Sequence, residues 1–173
     1  MLFRSMYYKQ QISEVMFNLL DSHDTERILT TAKGDIRLVK SALAFLFLQR
    51  GTPCIYYGTE LELGGAMDPD CRRVMPWDRV SNNNDMLNFM KNLIQLRKNV
   101  AGIIQYGKFT LEEIKPNVLT LEWEDDGQII RAIFNQSKEN YLLDRDSSDL
   151  VSHCQTDDEQ VLILPKGFVV FSQ

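Results

Sequence analysis

Two short polar clusters in this sequence hold side chains able to do chemistry. The first is "DSHD", Asp21 to Asp24, where His23 offers a hydrogen-bond donor to a hydroxyl or to developing negative charge, and Asp24 offers a carboxylate. The second is "DPDCRR", Asp68 to Arg73, with carboxylates, a thiol and guanidiniums in six residues. Arginine beside aspartate makes a planar, fork-like clamp for neighbouring hydroxyls. Each cluster also has a plainer reading: Ser22 or Asp24 capping a turn, and Asp68 to Arg73 as a solvated ion-pair cluster. Ser22, His23 and Asp24 are not a nucleophile triad, because adjacent residues cannot converge on one another as a triad requires. Trp77 and Tyr57 have flat faces that could stack on a ring, although aromatics near a strand end more often simply pack.

The elements around these clusters are legible from hydrophobic pattern. Val15 to Leu20 is an almost wholly apolar run, as in a strand covered on both faces. Asp35 to Arg50 reads as a helix: Gly34-Asp35 supplies an N-cap, Ile36, Val39, Leu43, Leu46 and Phe47 share one side, and Gly51 stands ready to end it. Pro53 to Gly58 is a second short strand, followed by a polar loop from Thr59 to about Asn84. Asp85 to Asn99 is again helical, with Met86, Phe89, Met90, Leu93, Ile94 and Leu96 on its apolar side and Arg97 and Lys98 in the last turn. Strand, helix, strand, helix is the rhythm of a parallel α/β structure, in which functional residues gather at the carboxyl ends of the strands. Both polar clusters stand at such ends.

After Ala101-Gly102 the pattern changes. Lys108 to Glu112, Val118 to Glu124 and Gln128 to Asn135 read as strands, with "EDDG" at Glu124 to Gly127 as a hairpin turn. Val161 to Leu164 and Phe168 to Phe171 read as a further pair around "PKG", and Tyr141 to Asp158 is too polar to place. The expected organisation is therefore an α/β part over residues 1–102 and an antiparallel β-domain over 103–173.

Composition narrows the function classes. The 173 residues are 44% hydrophobic and carry a net charge of −5, as in an ordinary globular protein. An acidic chain without a Lys/Arg cluster is not expected to bind nucleic acid. The longest apolar run, Ala42 to Leu48, is far too short to span a bilayer, so no membrane partner is expected. Three widely spaced cysteines and no Cys-x-x-Cys pattern argue against a disulfide framework or zinc site and for a reducing, cytoplasmic setting. "MLFRSMYYKQQ" lacks the features of a signal peptide. Finally, two strand–helix units cannot close a sheet, and unpaired strand edges are avoided in soluble proteins. The α/β part is expected to be the end of something larger, with self-association or loosened structure around Met1 to Asp24 in this chain by itself.

The motifs "NLLDSHDTER" and "GTPCIYYGTELELGGAMDPDCRRVMPWD" together resemble the α-amylase family of glycoside hydrolases, in its neopullulanase and cyclomaltodextrinase branch. The resemblance implies the last two units of a (β/α)8 TIM barrel followed by an antiparallel β-sandwich, domain C. Val15 to Leu20 would be the seventh barrel strand and Pro53 to Gly58 the eighth. It implies a catalytic role for Asp24 as the carboxylate that fixes and distorts the bound sugar toward the transition state. His23 would bond hydroxyls of that same sugar, Asp68 and Arg72 would contact substrate further along its non-reducing side, and Arg27 would support them from behind. The substrates implied are α-1,4- and α-1,6-linked glucans and cyclodextrins, cleaved with retention by a nucleophilic Asp and an acid/base Glu. Those two residues belong to barrel strands not expected in this chain, so the chain alone should be inactive and the missing N-terminal part of the barrel should be its partner. No cofactor is implied; a structural calcium in the parent finds no support in the spacing of Asp68 and Asp70. Thr59 stands where the family usually has an acidic residue, and Glu26 where it often has proline. Two other readings of the chain are a non-catalytic glucan-binding module and one half of a split enzyme.

Overall fold

The computed structural model describes residues 10–144, 149–156 and 160–172, and the chain divides into two compact units, residues 1–95 and 96–173.

The first unit begins with a single helical turn, α1 (Gln10–Ser13), and a two-residue strand, β1 (Phe17–Asn18). Helix α2 (Ile28–Thr31) and helix α3 (Ile36–Phe47) follow, then β2 (Thr52–Pro53). The two strands are parallel, with Phe17 opposite Thr52 and Asn18 opposite Pro53. Three 3-10 turns, Thr59–Leu61, Asp70–Arg72 and Trp77–Arg79, shape the long loop before α4 (Asp85–Asn99), which runs across the division between the units.

Helix α3 starts where Asp35 accepts from the Arg37 and Leu38 amides, which satisfies two of the free donors of the first turn. The chain enters that cap through Gly34 at φ 78°, a left-handed conformation that glycine adopts without strain. Val39, Leu43, Leu46 and Phe47 are buried as the pattern predicts. Helix α4 is capped by Asn84, whose side chain accepts from the Leu87 amide at 2.8 Å. Met86, Phe89, Met90, Leu93 and Leu96 are buried, but Ile94 is 44% exposed, so it lies outside the apolar stripe assigned to it. Lys40 of α3 is buried and reaches the Asp85 carboxylate at the start of α4, a charged bond that locks the two helices together at the α4 N-terminus.

The strands depart from expectation. Val15 to Leu20 does not form one strand covered on both sides: Val15 is 74% exposed, Phe17 69% and Leu19 45%, while the alternate residues Met16, Asn18 and Leu20 are half-buried. A parallel strand needs a layer on each face, and the described residues supply one. The second strand is also shorter than Pro53 to Gly58. Its ladder ends where the Cys54 amide donates to Asn18 at 2.7 Å, and the Tyr57 carbonyl beyond it is taken by the Arg27 side chain. The looseness expected over Met1 to Asp24 falls partly on residues 1–9, outside the described residues.

After the end of α4 the second unit has α5 (Ala101–Tyr106), so the chain is helical past Ala101-Gly102, where the strand pattern was expected to begin. It then comprises β3 (Lys108–Lys115), β4 (Val118–Asp125), β5 (Gln128–Asn135), β6 (Tyr141–Asp144), β7 (Asp149–His153), β8 (Gln155–Thr156), β9 (Gln160–Ile163) and β10 (Phe168–Ser172). Five strands form one sheet in the order β3-β4-β5-β10-β7, and three form another, β6-β9-β8, with antiparallel pairing throughout. The turn from β4 to β5 places Asp126 at φ 48° and Gly127 at φ 78°, the two positive values that a tight hairpin needs.

Val118, Ile133, Val169 and Phe171 of the larger sheet meet Val161 and Ile163 of the smaller in one apolar core. On the larger sheet's other face Leu121, Trp123, Ile130, Ala132, Phe134, Phe168 and Val170 are buried too. Asn135, fully buried, donates to Glu139 and Ile163 carbonyls at 2.8 Å each and ties β5 to β9. The expected pairing of Val161–Leu164 with Phe168–Phe171 is corrected here: β9 lies between β6 and β8, and β10 between β5 and β7. Residues buried on both sides of β10 demand a central place in the larger sheet, and the "PKG" turn, with Lys166 at φ 65°, carries the chain across.

Candidate active site

At the end of β1 the chain turns polar, and Asp21 sets the path of the loop beyond it. It is 5% exposed and accepts from the Ile28 amide at 3.0 Å, so the loop between them is folded back over the strand end. Burial pushes its carboxyl above the ordinary range, opposed by that amide bond and by the charge of Arg27. Within the loop the Ser22 amide donates to the Thr25 hydroxyl at 2.8 Å, and the Asp24 amide to the Ser22 hydroxyl at 3.2 Å. Ser22 is thus a turn-former, as the plainer reading had it, and this tight turn leaves His23 and Asp24 projecting outward. Their side chains are 65% and 67% exposed, with His23 Nε2 3.2 Å from Asp24 Oδ2.

The second cluster arrives from the loop after β2. Arg72 Nε is shared between Asp68 Oδ1 at 2.9 Å and the His23 carbonyl at 3.0 Å, and its Nη2 donates to Asp24 Oδ1 at 3.3 Å. The Cys71 thiol also donates to the His23 carbonyl, at 3.0 Å. His23 and Asp24 from one loop and Asp68 and Arg72 from the other therefore form one continuous polar network in which two carboxylates share a guanidinium.

The loop that carries Arg72 has its own clasp. Asp70 accepts from the Ala66 amide at 2.7 Å and from Arg73 Nε and Nη2 at 2.8 Å each; the Arg73 guanidinium, then the amide, holds its carboxyl below the usual range. Gly65 is required by this fold, since a Cβ there would lie 2.6 Å from the Asp70 carbonyl oxygen. Asp68 and Asp70 thus face different arginines rather than a common point. Of the two aromatics, Trp77 is 74% exposed, whereas Tyr57 is committed: its hydroxyl donates to the Arg73 carbonyl at 2.6 Å and its ring packs edge-on against Tyr56.

Sequence reading placed Arg27 at the margin of the site and missed Asp21, Cys71 and Asp70 as its supports. Asp21 had a signal, being the first charge after an apolar run and so at a strand's carboxyl end. Cys71 had none, because its bond is to a backbone carbonyl brought near only by the fold; Asp70 had one, since its pairing with Arg73 three residues on is the ion-pair cluster of the plainer reading.

The model of the alpha amylase catalytic domain matches residues 3–98, more than half of the chain. The chain belongs to the alpha-amylase family. Within it the chain falls in the neopullulanase/cyclomaltodextrinase branch. It is 43% identical over 154 residues to an intracellular maltogenic amylase of Bacillus subtilis, covering 89% of this chain and 21% of that protein. It is 45% identical over 98 residues to neopullulanase 2 of Thermoactinomyces vulgaris, covering 57% of this chain and 17% of that protein. A solved cyclomaltodextrinase structure matches with a TM-score of 0.75 at 34% identity, over 95% of this chain and 30% of that one. The fold is thus that of the family's last barrel units and β-domain, and the chain spans about a fifth of the first relative's length. Among the described residues no helix is long and apolar enough to cross a membrane.

Proposed function

We propose that this chain forms the sugar-holding side of the active site of a retaining α-glucan hydrolase, of the neopullulanase, cyclomaltodextrinase or maltogenic amylase type. The observation that carries this is the exposed His23–Asp24–Arg72–Asp68 network at the end of β1. Glycosidic cleavage passes through an oxocarbenium-like state with positive charge on the ring. Asp24, held by Arg72 and a tight turn, offers fixed negative charge and a bidentate acceptor for ring hydroxyls, which strengthen as the sugar distorts. His23 donates to a hydroxyl of the same sugar, while Asp68 and Arg72 hold the next one along the non-reducing side.

Retention needs a nucleophile and a proton donor on either side of the bond, and one carboxylate cannot be both. The reading assigns these to the part of a protein of the relatives' length that this chain does not span, whether joined to it or associating with it. The substrates are α-1,4/α-1,6-glucans or cyclodextrins, no cofactor takes part, residues 1–102 serve the barrel and 103–173 form the C-terminal β-domain, and the setting is cytoplasmic. The test compares the 173-residue chain with the longest open reading frame that contains it, on pullulan, maltotriose and β-cyclodextrin. The chain alone is inactive; the longer protein hydrolyses and loses about 10²–10³ in kcat on Asp24→Asn. Hydrolysis by the chain alone, or a longer protein indifferent to Asp24→Asn, overturns the reading. Glucan binding seen by calorimetry without hydrolysis in any longer form turns it into a binding module.

A further inference from the structure

We propose that Arg27 is the positioning residue of this site, the buried brace that sets Arg72 against His23 and Asp24. For its function this rests on the reading above; for its geometry it does not. Arg27 is 0% exposed, unusual for a guanidinium, and the bonds it donates reach across to the other loop. Its Nε donates to the Cys71 carbonyl at 2.7 Å, its Nη1 donates to the Tyr57 carbonyl, and its backbone amide donates to the Gly65 carbonyl at 2.9 Å. The guanidinium carbon lies 4.1 Å from the Tyr56 ring centre and 4.6 Å from that of Tyr57, so aromatic faces replace water around the charge.

The return contacts come from the residue it grips and the next one. The Cys71 thiol and Arg72 Nε both donate to the His23 carbonyl. The Cys71 peptide is therefore held from one side by Arg27 and presses from the other on the backbone that presents His23 and Asp24. A lysine would keep the backbone bond to Gly65 but could not span the Cys71 and Tyr57 carbonyls as the guanidinium fork does, because its ammonium is a single point on a flexible stem. No hydrogen bond joins Arg27 to the side chains of His23, Asp24, Asp68 or Arg72 among the described residues, so it acts on them through the backbone it holds at Cys71.

The experiment uses the 173-residue chain with Arg27→Lys, which keeps the charge. Alkylation of the buried Cys71 by iodoacetamide, followed by mass spectrometry, is expected to rise about tenfold, the loss of a hydrogen bond to a charged group. Cys154, in the other unit, should react at its wild-type rate and serves as the internal control. In ¹⁵N-arginine spectra the Arg72 Nε–H signal should shift and lose exchange protection, which a residue that only adds stability would not cause. Unchanged Cys71 reactivity and an unchanged Arg72 signal in a folded variant overturn the proposal. Should Arg27→Lys fail to fold, the wild-type chain decides: Arg27 Nε–H must exchange far more slowly than that of exposed Arg37, and equal rates overturn it. No glucan enters this test, so a brace found intact beside a protein that cleaves no glucan would separate the two proposals.

Discussion

The apolar runs of β1 and β10 look alike as text, "VMFNLL" and "FVVF", and their fates differ. In β10 every residue from Phe168 to Phe171 is buried, because the larger sheet has apolar partners on both faces. In the run around β1 every second residue is exposed, with Val15 and Phe17 the most. An apolar run states a demand for two covering layers; it does not say whether the same chain meets that demand. The β-unit satisfies its own sheets, while among the described residues the βα-unit leaves Val15, Phe17 and Leu19 on one side of its two-stranded sheet exposed, as a piece of a larger barrel would.

The largest expected effect sharpens this contrast. Phe168→Ala removes a fully buried ring stacked 5.7 Å from Phe134 and should cost about 3–5 kcal/mol in urea unfolding. Asp35→Ala, which strips the cap of α3, should cost about 1 kcal/mol and chiefly in the βα-unit. Phe17→Lys, on the bare face, should alter stability by no more than about 0.5 kcal/mol. It should nevertheless lower the mass seen by light scattering, since an uncovered apolar strand is where copies are expected to meet. A large stability loss from Phe17→Lys would break the comparison.

The smallest effect is a pH dependence within the βα-unit. Asp70 has a folded pKa below its ordinary 3.8, so its clasp contributes fully above that value and fades as pH falls below it. Asp21 is shifted the other way, so its contribution is present below 3.8 and is lost as pH rises through its folded value. The Arg73 Nε–H signal should follow the first of these in acid, and Asp70→Asn should abolish that response.

Much of the fold was legible because it rests on periodicity. Helices α3 and α4 and the hairpins from β3 to β5 follow from the spacing of their apolar residues and from Asp35 and Asp126-Gly127. What was not legible depends on long-range partners. The placing of β10 beside β5 rather than β9, and the exposure of Ile94, follow from which layers the chain supplies. At the site, residue type and position at strand ends single out the two clusters, the resemblance picks His23, Asp24, Asp68 and Arg72 from them, and the fold brings those four together. Beneath them Asp21, Arg27 and Cys71 bond to backbone groups, and although the resemblance puts Arg27 behind the site, a sequence does not display where its carbonyls and amides will point.

The most direct test is amide hydrogen exchange along the 173-residue chain. Slow exchange is predicted across Ile130 to Phe134 and Val169 to Phe171, and fast exchange at Thr52 and Cys54, whose amides bond to Met16 and Asn18 in the bare two-stranded sheet. Uniform protection in both units would contradict the account: the sheet of β1 and β2 would then be complete in this chain, and the physical reason for reading it as one side of a larger hydrolase would be gone.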